Sequence, residues 1–279
     1  MTVADSYQYC ENVARQRAKN FYYSFLLLPR PKRLAMCAVY AFMRECDDRS
    51  DGPGAALEKV RQWRTDLDAA LAGQSPDDPL WPAFADTAQR FAIPHEYFHA
   101  MLDGVASDFD ARTIVTFDDL YRYCYLVASI VGLTIIHIFG FEDRRALELA
   151  EKCGIAFQLT NILRDVKEDA DNGRVYLPNE DLERFGVQAA DMRQSGMSPA
   201  LRSLLEFELA RARAYYEESR PLLELVSRDS RHALWALIEV YRRLLDRIEA
   251  EGYPVLSRRV SLPTSEKLWL IFRAGLGWC

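Results

Sequence analysis

Two stretches of the chain bring carboxylates and arginines together at helical spacing. The first is Arg44-Glu45-Cys46-Asp47-Asp48-Arg49-Ser50-Asp51, closed by Gly52-Pro53. The second is Arg164-Asp165-Val166-Lys167-Glu168-Asp169-Ala170-Asp171, closed by Asn172-Gly173. In each, two aspartates stand four residues apart, Asp47 with Asp51 and Asp165 with Asp169, so each pair shares one helix face. Tyr40 and Arg44 extend the first face backward, and Gln158 and Asn161 precede the second on the same stripe. The stop signals place both clusters at helix C-termini. An exposed carboxylate there meets the negative end of the helix dipole, at about 0.3–1 kcal/mol per charge. Like charges one turn apart add to the strain. A divalent cation turns that repulsion into attraction, and Mg²⁺ suits carboxylates shared with waters and phosphate oxygens. Arg44 and Arg164 can hold a diphosphate in a bidentate fork. The chemistry spelled out is a diphosphate held at the mouth of an apolar cavity. The plainer alternative is a pair of solvated, salt-bridged helix ends.

Each cluster closes an apolar helix. Residues 34–43 are apolar all round, and residues 154–163 are apolar with isolated amides, so both are expected in the core. The remaining patterning is helical almost throughout. Helices are predicted near 4–26, 32–51, 55–72, 82–91, 95–110, 117–140, 143–171, 199–226, 229–251 and 265–276. Thr116 with Asp119 forms a capping box, and Ser198-Pro199 gives an N-cap followed by a first-turn proline. Ile114-Val115-Thr116 is β-branched but too short to seed a sheet. Loops are short apart from 73–79 and 172–178, and no linker or repeat interrupts the chain. The expectation is one all-α domain over residues 1–279, a helical bundle around a central apolar cavity.

Composition narrows the function. The chain has 279 residues, 49% hydrophobic and 27% charged, with net charge −6. That is a globular composition, and its acidic excess argues against a nucleic-acid partner. The six cysteines, at 10, 37, 46, 124, 153 and 279, form no CxxC pair and sit mostly in apolar stretches. They read as buried reduced thiols in a cytoplasmic compartment. The N-terminus has no apolar signal core, and no unbroken apolar run of spanning length exists, so no membrane-crossing helix is expected. The apolar stretch 268–273 suits either packing against the domain or contact with the inner membrane face, and packing is the commoner outcome. His95-Glu96-Tyr97-Phe98-His99 matches the HExxH zinc pattern, but it follows Pro94 at a helix start with no third ligand, so the histidines read as structural. No GxGxxG dinucleotide fingerprint is present.

Several strings resemble the squalene/phytoene synthase family of head-to-head prenyltransferases. They are Asn20-Phe21-Tyr22-Tyr23-Ser24-Phe25, the segment 40–51, Tyr123-Cys124-Tyr125-Leu126-Val127-Ala128-Ser129, and 158–169 followed by Gly173-Arg174-Val175-Tyr176-Leu177-Pro178. The resemblance covers nearly the whole chain, and details such as Phe25-Leu26-Leu27-Leu28-Pro29 are most similar to the bacterial branch that forms presqualene diphosphate for hopanoids. It implies an all-α isoprenoid-synthase fold that condenses two farnesyl diphosphates, with downstream isoprenoid enzymes as partners. It implies Mg²⁺ held by Asp47, Asp51, Asp165 and Asp169, with Asn161 at a further metal position. Tyr40, Arg44, Gln158, Arg164 and Tyr241 match substrate-contacting positions, and Arg174 falls where a relative's arginine reaches a diphosphate. Phe21, Tyr40, Tyr125, Phe157 and Tyr241 are candidates to shelter a cation, with core packing as the bland reading of each. Tyr125 and a released diphosphate oxygen are the two candidates for the base.

Two departures stand out. Arg49 and Ser50 replace the apolar residues usual between the first acids, so Arg49 is expected to pair with Asp47 and Asp51. Ala18 and Asn20 stand where relatives carry hydroxyl or glycine residues, leaving Lys19 and Asn20 as donors to a diphosphate. Phytoene, dehydrosqualene and hydroxysqualene synthesis remain as sister activities. A non-catalytic scaffold or a prenyl-lipid binder remains as a reading from another class.

Overall fold

The computed structural model describes residues 1–18, 20–50, 56–107, 109, 113–194 and 196–277, and the side chains of residues 20, 21 and 50 lie outside that description. Among the described residues the chain is all-helical, with one isolated bridge between Phe141 and Val226. The helices are α1 (Val3–Arg17), α2 (Asn20–Phe25), α3 (Arg30–Ser50), α4 (Leu57–Leu71), α5 (Trp81–Arg90), α6 (His95–Ser107) and α7 (Phe117–Cys124). A π-helical turn, Tyr125–Ser129, leads into α8 (Ile130–Phe139). Then come α9 (Arg145–Asp171), α10 (Asn179–Phe185), α11 (Pro199–Ser219), α12 (Leu222–Leu225), α13 (Arg228–Ala250) and α14 (Thr264–Gly275).

The local signals act as read. Thr116 accepts from the Asp119 amide while the Asp119 carboxylate accepts from the Thr116 amide, starting α7. Ser198 accepts from Leu201 N with Pro199 behind it, starting α11. Three expected helices are cut. The run 4–26 divides because Ala18 closes α1 on Ala14 O before α2 begins. The run 199–226 breaks at Arg220-Pro221, since Pro221 has no amide hydrogen to continue the ladder. The run 117–140 holds its five-residue π turn, where Ser129 Oγ leaves its own helix to donate to Glu151 O at 2.8 Å. Helix α10 is additional, framed by Pro178 before it and left-handed Gly186 after it, both readable stop signals.

The 27-residue helix α9 is the hub, packed against α7, the π turn, α8, α11 and α13. Trp63, Trp81, Phe42, Phe84 and Phe98 form a fully buried aromatic knot that ties α3, α4, α5 and α6 together. The stretch Phe117–Phe139 is long and apolar enough to cross a membrane by length and composition, a stretch the sequence reading did not single out. Asp118, Asp119, Arg122 and His137 break it as an unbroken apolar run, while Ser129 and Thr134 inside it are fully buried and bonded to backbone carbonyls. Half of its most apolar window is buried inside the bundle. The five described cysteines are free and buried, and burial pushes the Cys10, Cys37 and Cys153 thiols up to about 12. Cys279 lies outside the described residues.

Candidate active site

Helix α9 delivers most of the site, because Gln158, Asn161, Asp165 and Asp169 recur at three- and four-residue steps along one stripe. Asp165 is gripped from two sides. Arg164 Nε donates to its Oδ1 at 2.8 Å, and Arg164 Nη2 makes a second, very short bond to Oδ2. Arg259 Nε donates to Oδ1 at 2.8 Å and Arg259 Nη2 to Oδ2 at 3.1 Å. Burial alone would raise the Asp165 carboxyl, but the hydrogen bonds and charges of the two arginines win and hold it below the usual carboxylate range. Sequence reasoning missed Arg259. It lies in an irregular stretch before α14, where no periodicity marks it, and only the fold brings it to Asp165 across 94 residues.

Asp169, one turn further along the stripe, is shifted the other way. Burial pushes Asp169 up to about 6, and the charges of Asp165 and Glu168 add to the rise against Arg174 and Arg164. Gly173, at φ +79°, turns the chain so that Arg174 N returns to Asp169 O at 2.8 Å. Arg174 is thus beside the second motif, as expected. Asn161 Nδ2 donates to Gln158 Oε1 at 3.3 Å, while Asn161 Oδ1 is buried with no hydrogen-bond partner. From α13, Tyr241 stacks on Phe157 with ring centroids 4.2 Å apart and planes 6° apart. Burial raises its phenol, against Arg164 and a side-chain hydrogen bond to Asn161.

The first motif closes α3. Arg44 forms a short ion pair with Asp48 and stands 4.0 Å from Asp47, and Arg17 reaches the same Asp48 at 2.9 Å. Asp51 lies outside the described residues, as do Lys19 and the side chains of Asn20 and Phe21. Arg49 does not do what its position suggested. Its guanidinium lies 4.1 Å from the Trp63 ring centroid and 3.4 Å from Glu45, so among the described residues its partners point away from the acids of the site. Tyr40 and Tyr125 are partly buried, and burial raises both phenols. His99 pairs with Asp68 at 3.4 Å, and no cluster of three metal-ligating His, Cys, Asp or Glu side chains exists among the described residues.

A cavity of about 310 Å³ opens beside the second motif. Its walls are aliphatic, with Leu237, Val240, Leu262 and Ile271 among them. Its polar groups are Ser24, Arg164, Tyr241, Arg259, Ser261 and Lys267. Burial and the Arg164 charge lower the Lys267 ammonium pKa, which places a third cation close to the two arginines. Three cations around an aliphatic pocket, beside paired acids, fit a molecule with an anionic head and a greasy tail.

That combination suits a helical enzyme that handles long apolar diphosphates. The squalene/phytoene synthase model matches residues 14–266, and the chain belongs to that family. It is 38% identical to a 15-cis-phytoene synthase of Synechocystis sp. over 96% of this chain and 83% of the relative. It is 36% identical to the 15-cis-phytoene synthase of Synechococcus elongatus over 96% of this chain and 91% of the relative. A dehydrosqualene synthase crystallised with a ligand superposes with a TM-score of 0.91 at 33% identity, over 99% of this chain and 97% of that one. Squalene synthase HpnC from Alicyclobacillus acidocaldarius gives 0.85 at 28% identity, over 90% and 95%. The chain is therefore a prenyltransferase of isoprenoid biosynthesis by family.

Proposed function

We propose that the chain joins two farnesyl diphosphates head to head, forming presqualene diphosphate and releasing diphosphate. The observation that carries this reading is the convergence of Arg164 and Arg259 on Asp165 at the rim of an aliphatic cavity. The likeness in fold to a dehydrosqualene synthase and to squalene synthase HpnC supports a fifteen-carbon substrate.

In this reading Arg164 and Arg259 turn their forks from Asp165 to the leaving diphosphate, where charge develops as the donor's C1–O bond breaks. Asp47, Asp165 and Asp169, with Asp51, would hold Mg²⁺, and the orphaned Asn161 Oδ1 is a ready neutral ligand. When bound, the metal offsets the diphosphate's negative charge. Tyr241, which lines the cavity and is backed by the stacked Phe157 ring, offers a π face to the allylic cation, contributing about 0.5–2 kcal/mol. The double bond of the second farnesyl unit supplies the electron pair for the new C–C bond, and loss of a proton closes the cyclopropane. Burial raises the Tyr125 and Tyr241 phenols, and the released diphosphate oxygen is the base in this reading, with Tyr125 as the alternative. Buried free thiols fit a reducing, cytoplasmic setting, and downstream isoprenoid enzymes would consume the product.

A second reading, condensation of two geranylgeranyl diphosphates to phytoene, draws on the 36–38% identity to cyanobacterial phytoene synthases. Incubation with each prenyl diphosphate and Mg²⁺, with and without NADPH, followed by mass analysis, separates the two. Presqualene diphosphate from the C15 substrate in both samples is expected, with loss in Asp47→Ala and Asp165→Ala. Phytoene from the C20 substrate alone would select the second reading. Bound substrate without product would make the chain a non-catalytic member.

A further inference from the structure

Helix α9 ends in acids and has no base of its own in the last turn. Glu168, Asp169 and Asp171 stand there against the negative end of the helix dipole. The last backbone carbonyls of a helix also need donors from outside it. Asn172 N and Arg174 N return to Glu168 O and Asp169 O at 3.1 and 2.8 Å, and Gly173 N reaches Ala170 O at 3.0 Å. Ala170 O takes a further donor from 23 residues along the chain, Arg193 Nε at 2.9 Å.

The contact is returned. Lys167 Nζ, on α9, donates to Arg193 O at 3.0 Å and to Asp171 Oδ1 at 3.2 Å. Each side of the joint thus lends a cationic side chain to a carbonyl of the other. Arg193 closes a 3-10 turn, Ala189–Arg193, whose start is boxed by Gln188 and Asp191, with Gln188 N donating to Asp191 Oδ2 at 2.8 Å. Met192 and Val187 are buried and root this turn in the core. A helix end left to itself frays, whereas this one is clasped to a rooted turn.

Position decides what the clasp does. Asp169 immediately precedes Ala170, and it shares a face with Asp165 only while the helix between them stays wound. Clustered acids and the helix dipole both push that last turn to open. Arg193 opposes them with a hydrogen bond and a positive charge at the same point. We propose that Arg193 is a positioning residue for the Asp165/Asp169 pair, keeping the last turn of α9 wound so that both carboxylates face one cation before it arrives. This rests on the proposed Mg²⁺ reading and goes beyond it. Part of the metal affinity is placed in a turn that carries none of the proposed ligands.

The test titrates the purified full chain with Mn²⁺, alone and with inorganic diphosphate, and reads bound metal by electron paramagnetic resonance without any turnover. Mn²⁺ stands in for Mg²⁺ because both take oxygen ligands in octahedral geometry. Arg193→Ala is expected to raise the half-saturating Mn²⁺ about ten-fold while the number of bound ions stays the same. Arg193→Lys keeps a charged donor and is expected to bring it back to within about two-fold of the parent. Thermal melting without metal follows folding in the same samples. A lower melting temperature with an unchanged half-saturation means a merely structural clasp and overturns the proposal. Should Arg193→Ala not fold, Arg193→Met keeps the aliphatic stem and takes its place, with the same two outcomes. Asp169→Asn is the reference. If it loses Mn²⁺ while Arg193→Ala binds like the parent, this proposal alone fails. A parent that binds no Mn²⁺ under either condition overturns the metal reading and this proposal with it.

Discussion

Arg259 and Asp165 form a two-pronged ion pair, Nε to Oδ1 at 2.8 Å and Nη2 to Oδ2 at 3.1 Å, across 94 residues of sequence. The same carboxylate is the one proposed to bind metal, so arginine and metal compete for it. Arg259→Ala is expected to raise the KM for the prenyl diphosphate about ten-fold, the scale of one lost charge-assisted bond pair. It should also lower the Mg²⁺ concentration needed for half-maximal activity, because Asp165 is then held by Arg164 alone. A joint titration of substrate and Mg²⁺ reads both, and a rise in both would remove the competition.

Arg49 breaks the usual apolar spacing of the first motif, yet it rests on Trp63 and Glu45. Arg49→Ala should therefore cost stability, about 1 kcal/mol from the lost cation–π contact and packing, and leave the Mg²⁺ requirement unchanged. Denaturant unfolding and a Mg²⁺ titration of activity check the two halves.

Gly154 permits the closest approach between α9 and the π turn. A Cβ there would lie 2.5 Å from Ser129 Cα and 2.8 Å from Ser129 N, both backbone atoms that cannot swing aside. Gly154→Ala is expected to destabilise by about 1–3 kcal/mol and to move Tyr125, which begins the π turn. A thermal melt together with kcat follows both effects. An unchanged melt would mean that the turn relaxes to a regular helix at no cost.

Two buried acids, Asp181 and Glu208, share the half-buried guanidinium of Arg211. Burial raises the Glu208 carboxyl from an ordinary 4.5 to about 7, against the pull of Arg211. Between those two values the folded chain keeps a proton that the unfolded chain has released. Stability therefore falls as pH rises through that interval, by on the order of 3 kcal/mol. Glu208→Gln should flatten this part of the curve, as read by denaturant unfolding at pH 5 and pH 8.

Much of the site was legible because α9 is regular. Gln158, Asn161, Arg164, Asp165 and Asp169 follow from helical spacing, and the structure keeps them on one helix. The caps at Thr116 and Ser198 were equally local, so they acted as written. Arg259 was not legible, since its role depends on where an irregular segment returns in space. Arg49 misled for a related reason. Its sequence neighbours include the site acids, but among the described residues the Trp63 face one helix away and Glu45 one turn back take its guanidinium. The break at Pro221 could have been read from the missing amide hydrogen, whereas the π turn depends on a contact with another helix.

Because α9 carries Gln158 through Asp169 on one unbroken helix, it works as a ruler with fixed marks. A residue inserted ahead of Gln158 would rotate every mark by about 100° and advance it by about 1.5 Å, scattering the whole set at once. Changes that tune which chain length fits must then accumulate on the facing helices, where Leu237, Val240 and Ile271 can change volume one at a time. The reacting end of the molecule and its measuring end are in this way free to diverge at different speeds.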